Sequence, residues 1–466
     1  MTVVLARALT ANGALRRIRE THRAESIGWA TSGMIVAVVL GFVAPYLPES
    51  LGAVALLLTL SAVPGLIVLA QARPVLTFGL FFAAQPLEAF EIQSPVGSYS
   101  VGIIILAALL VTRFGPFIGK ARGDALLRRS MIVLAAWLVY LVPSRYGYMG
   151  SSAFREALTM SSFVAVTLVA ASLPGDLKTF KSAAVGATSA LAVLAVCGVA
   201  VGEHWIRQPI RTTAPRDILG FTSPFPRNYG LNIPFDAVTL LSPLVISWFA
   251  VRLVRREGRG NMAALALLVA SILFVFQGRD LLMQVAIGLA VAFLVVYRKA
   301  APFVVIASAV PVLYLYERLA AVDQISTTSR SASDLQVLHT TVAHPLHYLI
   351  GTNEEQVFSS AVNQAGLGDA FVSHQNTIHN LFLSNLVGGG YVALALIGIA
   401  YIYGFRRAYR AWKLAPTDIV SQLILCAYVL VIVSVSMEPV RADIVGSWAV
   451  LGLALGRSRI AQPARE

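Results

Sequence analysis

The chain of 466 residues is 57% hydrophobic and only 13% charged, with a mean hydropathy of +0.74, which excludes an ordinary soluble domain and calls for a polytopic membrane protein. Its 36 Lys and Arg against 23 Asp and Glu give a formal charge of +13, an excess that in such a protein marks cytoplasmic loops and anionic lipid rather than nucleic acid. Two cysteines, Cys197 and Cys426, lie inside apolar runs, with no metal-ligand spacing and nothing to support a disulfide.

In chain order, residues 1–26 read as a basic cytoplasmic tail, with Arg7, Arg16, Arg17, Arg19 and Arg23 ahead of the apolar sequence that begins near Ile27. Apolar sequence then continues into further spans, so no cleaved signal peptide is expected. Apolar runs fall near 27–45, 51–71, 74–90, 99–114, 130–143, 157–173, 182–202, 233–251, 261–277, 281–297, 301–316, 379–404, 419–437 and 443–456. The expected fold is therefore an all-α polytopic integral membrane protein with about 12–14 transmembrane helices, since a span needs ~20 apolar residues and some of these runs are short. Residues 27–456 form the membrane domain, and 457–466 a cytoplasmic tail.

Charge sets the orientation. Basic clusters at Arg113–Lys120–Arg122–Arg128–Arg129, Arg252–Arg255–Arg256–Arg259, Arg298–Lys299 and Arg406–Arg407–Arg410–Lys413 fall on one side if the spans alternate. The positive-inside rule makes that side cytoplasmic, with both termini. Two long polar segments, about 203–232 and 317–378, then lie outside. The second far exceeds ordinary loop lengths and is expected to be an ordered cap. It carries a short helix over Leu335–Ala343 that ends before His344-Pro345.

The outer segments hold the polar candidates. The first contains Arg207, Arg211, Arg216 and Arg227 against Glu203 and Asp217, interleaved with Trp205, Phe221, Phe225 and Tyr229. A positive outer loop runs against the charge bias. Guanidinium forks suit phosphate oxygens and flat rings suit sugars, although a solvated loop on headgroups is the alternative. Arg279, in Phe276-Gln277-Gly278-Arg279-Asp280, sits between two apolar runs, where a charge is either functional or neutralised by its neighbour Asp280. Arg330 and the histidines His339, His344 and His347 lie in the second segment; their irregular spacing, with no carboxylate pattern, does not point to a metal. The apolar run from 379 begins with His379-Asn380, placing an imidazole at the mouth of a membrane helix among free backbone N–H groups. Such a place attracts phosphate and keeps a histidine neutral, so His379 is either a general base or a helix cap. The chain has no Asp-x-Asp pair of the kind that holds the metal of a nucleotide-sugar transferase.

His379-Asn380-Leu381-Phe382-Leu383, followed by Gly390 and a small, apolar helix, resembles the signature of the O-antigen ligase and polymerase superfamily. Arg330 with Ala343-His344-Pro345-Leu346 is similar to its outer-loop segment, although the family's Gly-x-Gly reads Ile350-Gly351-Thr352 here. Gln277-Gly278-Arg279 resembles the family's span-opening arginine, with glutamine where serine is common. The stretch from Arg216 through Gly220-Phe221 to Arg227-Asn228-Tyr229-Gly230 matches more loosely. The resemblance covers about 200–455. It implies a bacterial inner-membrane glycosyltransferase, its site facing the periplasm, that uses no metal or other cofactor. Its donor would be an undecaprenyl-pyrophosphate-linked glycan and its acceptor a hydroxyl of a glycan or glycolipid, with inversion at the transferred sugar. In that scheme His379 is catalytic. Arg279 with Arg211, Arg216 or Arg227 holds the pyrophosphate, and Asn380, Arg330 and His344 support. Ligase and polymerase both remain open, and a transporter or flippase of lipid-linked sugars is the alternative class.

Overall fold

A computed structural model describes residues 63–86, 92–94, 97–99, 101–150, 152–202, 212–213, 217–218, 221–222, 227–228, 235–258, 260–276, 279–300, 324–343, 345–352, 380–437 and 445–457, together with 314, 357 and 360. The chain is an all-α polytopic membrane protein. Among the described residues, 5 helices are long and apolar enough to cross a bilayer, and shorter apolar helices stand beside them. The run expected at 27–45, the first part of 51–71 (residues 51–62) and most of 301–316 lie outside the described residues.

The helices are α1 (Val63–Ala72), α2 (Pro74–Ala83), α3 (Val101–Gly123), α4 (Ala125–Met149), α5 (Ser152–Ser172) and α6 (Leu177–Gly202). There follow α7 (Phe235–Val254), α8 (Gly260–Ser271, continued by a π turn over Ile272–Phe276), α9 (Arg279–Val296), α10 (Gln324–Ala343), α11 (Leu381–Leu414), α12 (Ile419–Met437) and α13 (Val445–Gly456). Most helices overrun their apolar runs, because a helix continues until something caps it, whereas hydropathy marks only the part in hydrocarbon. Asp124 shows this: its Oδ1 accepts from Leu126 N and Leu127 N and starts α4 ahead of the apolar run. The only β pairings among the described residues are short antiparallel ones: Ile92–Ser94 with Gly97–Tyr99, and, within the first polar segment, Thr212–Thr213 with Arg227–Asn228 around Asp217–Ile218 with Phe221–Thr222.

Helices α4, α5, α11 and α13 meet at Trp448, which is fully buried. Its ring stacks on Trp137 at 5.6 Å and on Phe163 at 6.0 Å, and Tyr401 meets it edge-on at 6.2 Å. Helix α13 lies close on α5 because Gly452 and Gly456, four residues apart, rest on the backbone of Thr167 and Ala171. In lipid, where apolar burial gives helices no reason to associate, such small-residue contacts supply the packing.

The basic connections gather at one end of the bundle. Arg407 grips Asp124 with both arms of its fork, at 3.0 and 2.5 Å, and its Nε donates to Arg457 O at 2.8 Å. Arg457 in turn pairs with Asp418 and donates to Gly175 O. Arg255 donates to Thr417 O and to Gln422, and Arg298 lies over the Trp412 ring at 5.5 Å. The C-terminal carbonyls of α5, the negative end of its dipole, are capped by Arg113 at Ser172 O and by Lys120 at Ala171 O and Leu173 O. Burial pushes the Asp124 carboxyl up, but the Arg407 fork and the two N–H donors outweigh it and hold the group below the usual carboxylate range.

Candidate functional site

The opposite end collects the described parts of the polar segments. Helix α12 runs from this Asp418 end to Ser436, whose carbonyl accepts from Asn380 Nδ2 at 3.3 Å. Helix α9 finishes near Trp412, where Val295 O accepts the indole N–H, so its first residue, Arg279, stands at the Asn380 end. Strand Arg227–Asn228 lies against the π turn that precedes Arg279. The backbone thus brings Arg227, Arg279 and Asn380 to the same end of the bundle. Arg330 lies on α10, the helix expected in the second polar segment; it ends at Ala343 as anticipated, but starts earlier, at Gln324. Arg211, Arg216, His344 and His379 lie outside the described residues.

The start of α11 departs from the sequence reading in one respect. Its cap is Asn380, not its neighbour: Asn380 Oδ1 accepts from Phe382 N at 3.0 Å and from Leu383 N at 3.1 Å. Two of the N–H groups that the sequence left free for a phosphate are therefore already engaged. The structure assigns that cap to Asn380, and any phosphate here depends mainly on side-chain cations.

Nor is α11 one straight span. It breaks at Gly390, at φ 69° and ψ −170°, a backbone state that L side chains avoid. The break leaves a short half-helix over 381–389 and a second part, 391–414, still long enough to cross the membrane. It also frees carbonyls, and Thr352 N donates to Val387 O at 2.5 Å. The returning loop makes a second glycine contact. Gly351, at φ 94°, faces Gly388 C and Gly389 N at 2.7 Å from where its Cβ would be, and Gly390 likewise faces Gly351 N at 2.7 Å. Two backbones meet with no side chain between them. Around this joint Val337, Tyr348, Leu386 and Val387 form a small separate core. Tyr348 is 1% exposed there, and burial pushes its phenol above the ordinary range.

The half-helix is also held by polar bonds inside the bundle. Trp137 Nε1 donates to Asn385 Oδ1 at 2.8 Å, and Asn385 Nδ2 donates to Leu381 O at 2.8 Å. Ser144, two turns beyond Trp137 on α4, puts its Oγ 3.6 Å from the Cβ position of Gly389. The next residue, Arg145, is 5% exposed, which adds a buried guanidinium at the Asn380 end that the sequence reading did not single out. Its signal was available: a lone arginine directly after the apolar run 130–143. On α9, Gln284 is fully buried and accepts the Ser242 hydroxyl, carrying a polar contact between helices further into the bundle. No protein-family model and no curated protein matches the chain.

Proposed function

We propose that the protein is a membrane glycosyltransferase of the O-antigen ligase or polymerase type, acting in a bacterial inner membrane on its outer face. The acceptor hydroxyl oxygen attacks the anomeric carbon of a glycan carried on undecaprenyl pyrophosphate. The bond from that carbon to the pyrophosphate oxygen breaks, the configuration inverts, and undecaprenyl pyrophosphate leaves. His379 takes the acceptor's proton. Arg279, with an arginine of the first polar segment, neutralises the charge that grows on the leaving pyrophosphate, so no metal is needed.

The observation that carries the reading is that Asn380, of the His-Asn signature, and the backbones of Arg279 and Arg227 lie at the same end of the bundle. Its test is transfer by purified protein in nanodiscs, with EDTA present and a lipid-pyrophosphate donor. Replacing His379 by Gln is expected to lower the rate ~10²–10⁴-fold at normal protein level and donor binding. A Gln variant with most of its rate places the base elsewhere, and activity abolished by EDTA defeats the metal-free scheme. One observation favours a second reading: discontinuous helices such as α11 at Gly390 also mark binding sites in transporters. Free undecaprenyl pyrophosphate accumulates with an enzyme and not with a flippase.

A further inference from the structure

Helix α10 presents two different faces. Val337, fully buried, joins the small core beside the α11 break, with Tyr348, Leu386 and Val387. The opposite face carries Leu335, Leu338 and Val342, spaced three and seven residues from the first, hence on one side of a helix. They are 66%, 50% and 83% exposed. The strip does not stop with the helix: Leu346, Leu349 and Ile350 follow at 81%, 54% and 64%. A polar segment gains nothing by offering six large apolar side chains to water, and contiguous patches of this kind mark interaction surfaces.

What lies next to the strip identifies its occupant. Leu349 and Tyr348 rest their carbonyls on Gly390, at the head of the spanning part of α11. Tyr391 and Leu394, half-buried, pack against the Val337–Tyr348 core from that same part. Beyond them this apolar span leaves Val392, Ile399, Ile402 and Phe405 exposed, the kind of surface that a membrane helix offers to lipid. Through Leu349 the strip thus adjoins the head of a span whose own apolar side chains are exposed.

We propose that the described residues 335–343 of α10 and 345–350 after it dock on the bilayer at the Asn380 end, with Leu335, Leu338, Val342, Leu346, Leu349 and Ile350 in the headgroup–acyl boundary. Amphipathic helices rest there with the apolar face about 5–10 Å deep. The surface is held from both sides, by lipid on one and by the α11 break on the other. This inference is independent of any reaction.

The test uses the full chain in nanodiscs, with single substitutions Leu338→Cys and Val342→Cys carrying a bimane label. Labelling of the unsubstituted protein, whose Cys426 is buried, is subtracted. Both labels are expected to lose most of their emission to phosphatidylcholine bearing a doxyl group high on the acyl chain, and little to aqueous iodide. The same strip held by a second copy would instead show protection from both quenchers and a disulfide between subunits on oxidation, which overturns the proposal. So does quenching by iodide alone, the mark of a face in water. Both substitutions sit on exposed positions, and retention of the wild-type elution volume checks that the fold is unchanged.

Discussion

At the scale of single residues, polar groups in this protein do more than their types suggest. Asn380 is cap, helix tie and member of a candidate site at once, through its bonds to Phe382 N, Leu383 N and Ser436 O. The sequence made His379 the obvious residue, because an imidazole invites chemistry, while a neighbouring asparagine reads as routine. Cap preference ranks Asn among the best, so the division of labour was open to inference from propensity alone. Asp124 allows a sharper test. The fork of Arg407 holds its pKa below the ordinary carboxylate value, so the stability it contributes is present above about pH 4 and is lost as pH falls through the depressed value. Asp124→Asn keeps the cap and removes the charge. We expect it to destabilise the protein by about 2 kcal/mol at pH 7, and to show a weaker loss of melting temperature than the wild type when pH is lowered from 5 to 3. Equal acid sensitivity in the two proteins would assign that loss to other carboxylates.

At the scale of elements, hydropathy located the apolar runs but not where their helices end or bend. The span expected over 379–404 instead begins at Leu381, breaks at Gly390 and runs on to Leu414 through basic sequence. Gly388-Gly389-Gly390 reads as a small-residue helix face on composition, and only the partner segment reveals its use. That partner, Gly351-Thr352, lies far back in the sequence, and no local window contains both halves of the joint. In Ile350-Gly351-Thr352 the glycine is the residue that takes the positive φ. Gly390→Ala should therefore cost about 1–3 kcal/mol in backbone strain, beyond the collision with Tyr348 O and Gly351 N at 2.6 and 2.7 Å. The expected result is faster proteolysis within 324–352 with the rest of the bundle intact. Unchanged cleavage there would mean that the loop does not depend on this contact.

At the scale of the molecule, charge was the best guide. The clusters chosen for orientation do meet at one end, linked by Arg407 to Asp124, Arg457 to Asp418 and Arg255 to Gln422. The described parts of the polar segments lie at the other. That separation was legible because arginines cannot easily be left in hydrocarbon, whichever helices pack together. Which helices pack was not legible, since it rests on Gly452 and Gly456 against α5 and on the rings about Trp448. For the side itself we expect Ser360→Cys to react with an impermeant maleimide in intact cells, and Ser458→Cys only after lysis. The reverse pattern would turn the protein over and remove the donor from reach of the proposed site.

The charged chain at the Asp124 end also has a consequence for biosynthesis. Asp124, Gly175, Arg407 and Asp418 leave the ribosome well before Arg457, the residue that pairs with Asp418 and whose carbonyl takes Arg407. Until it arrives, Arg407 can hold Asp124, but Asp418 lacks its arginine and Gly175 O its donor. Completion of α13 thus adds the last ties at this end, and a translation product stopped short of it would be open to membrane quality control.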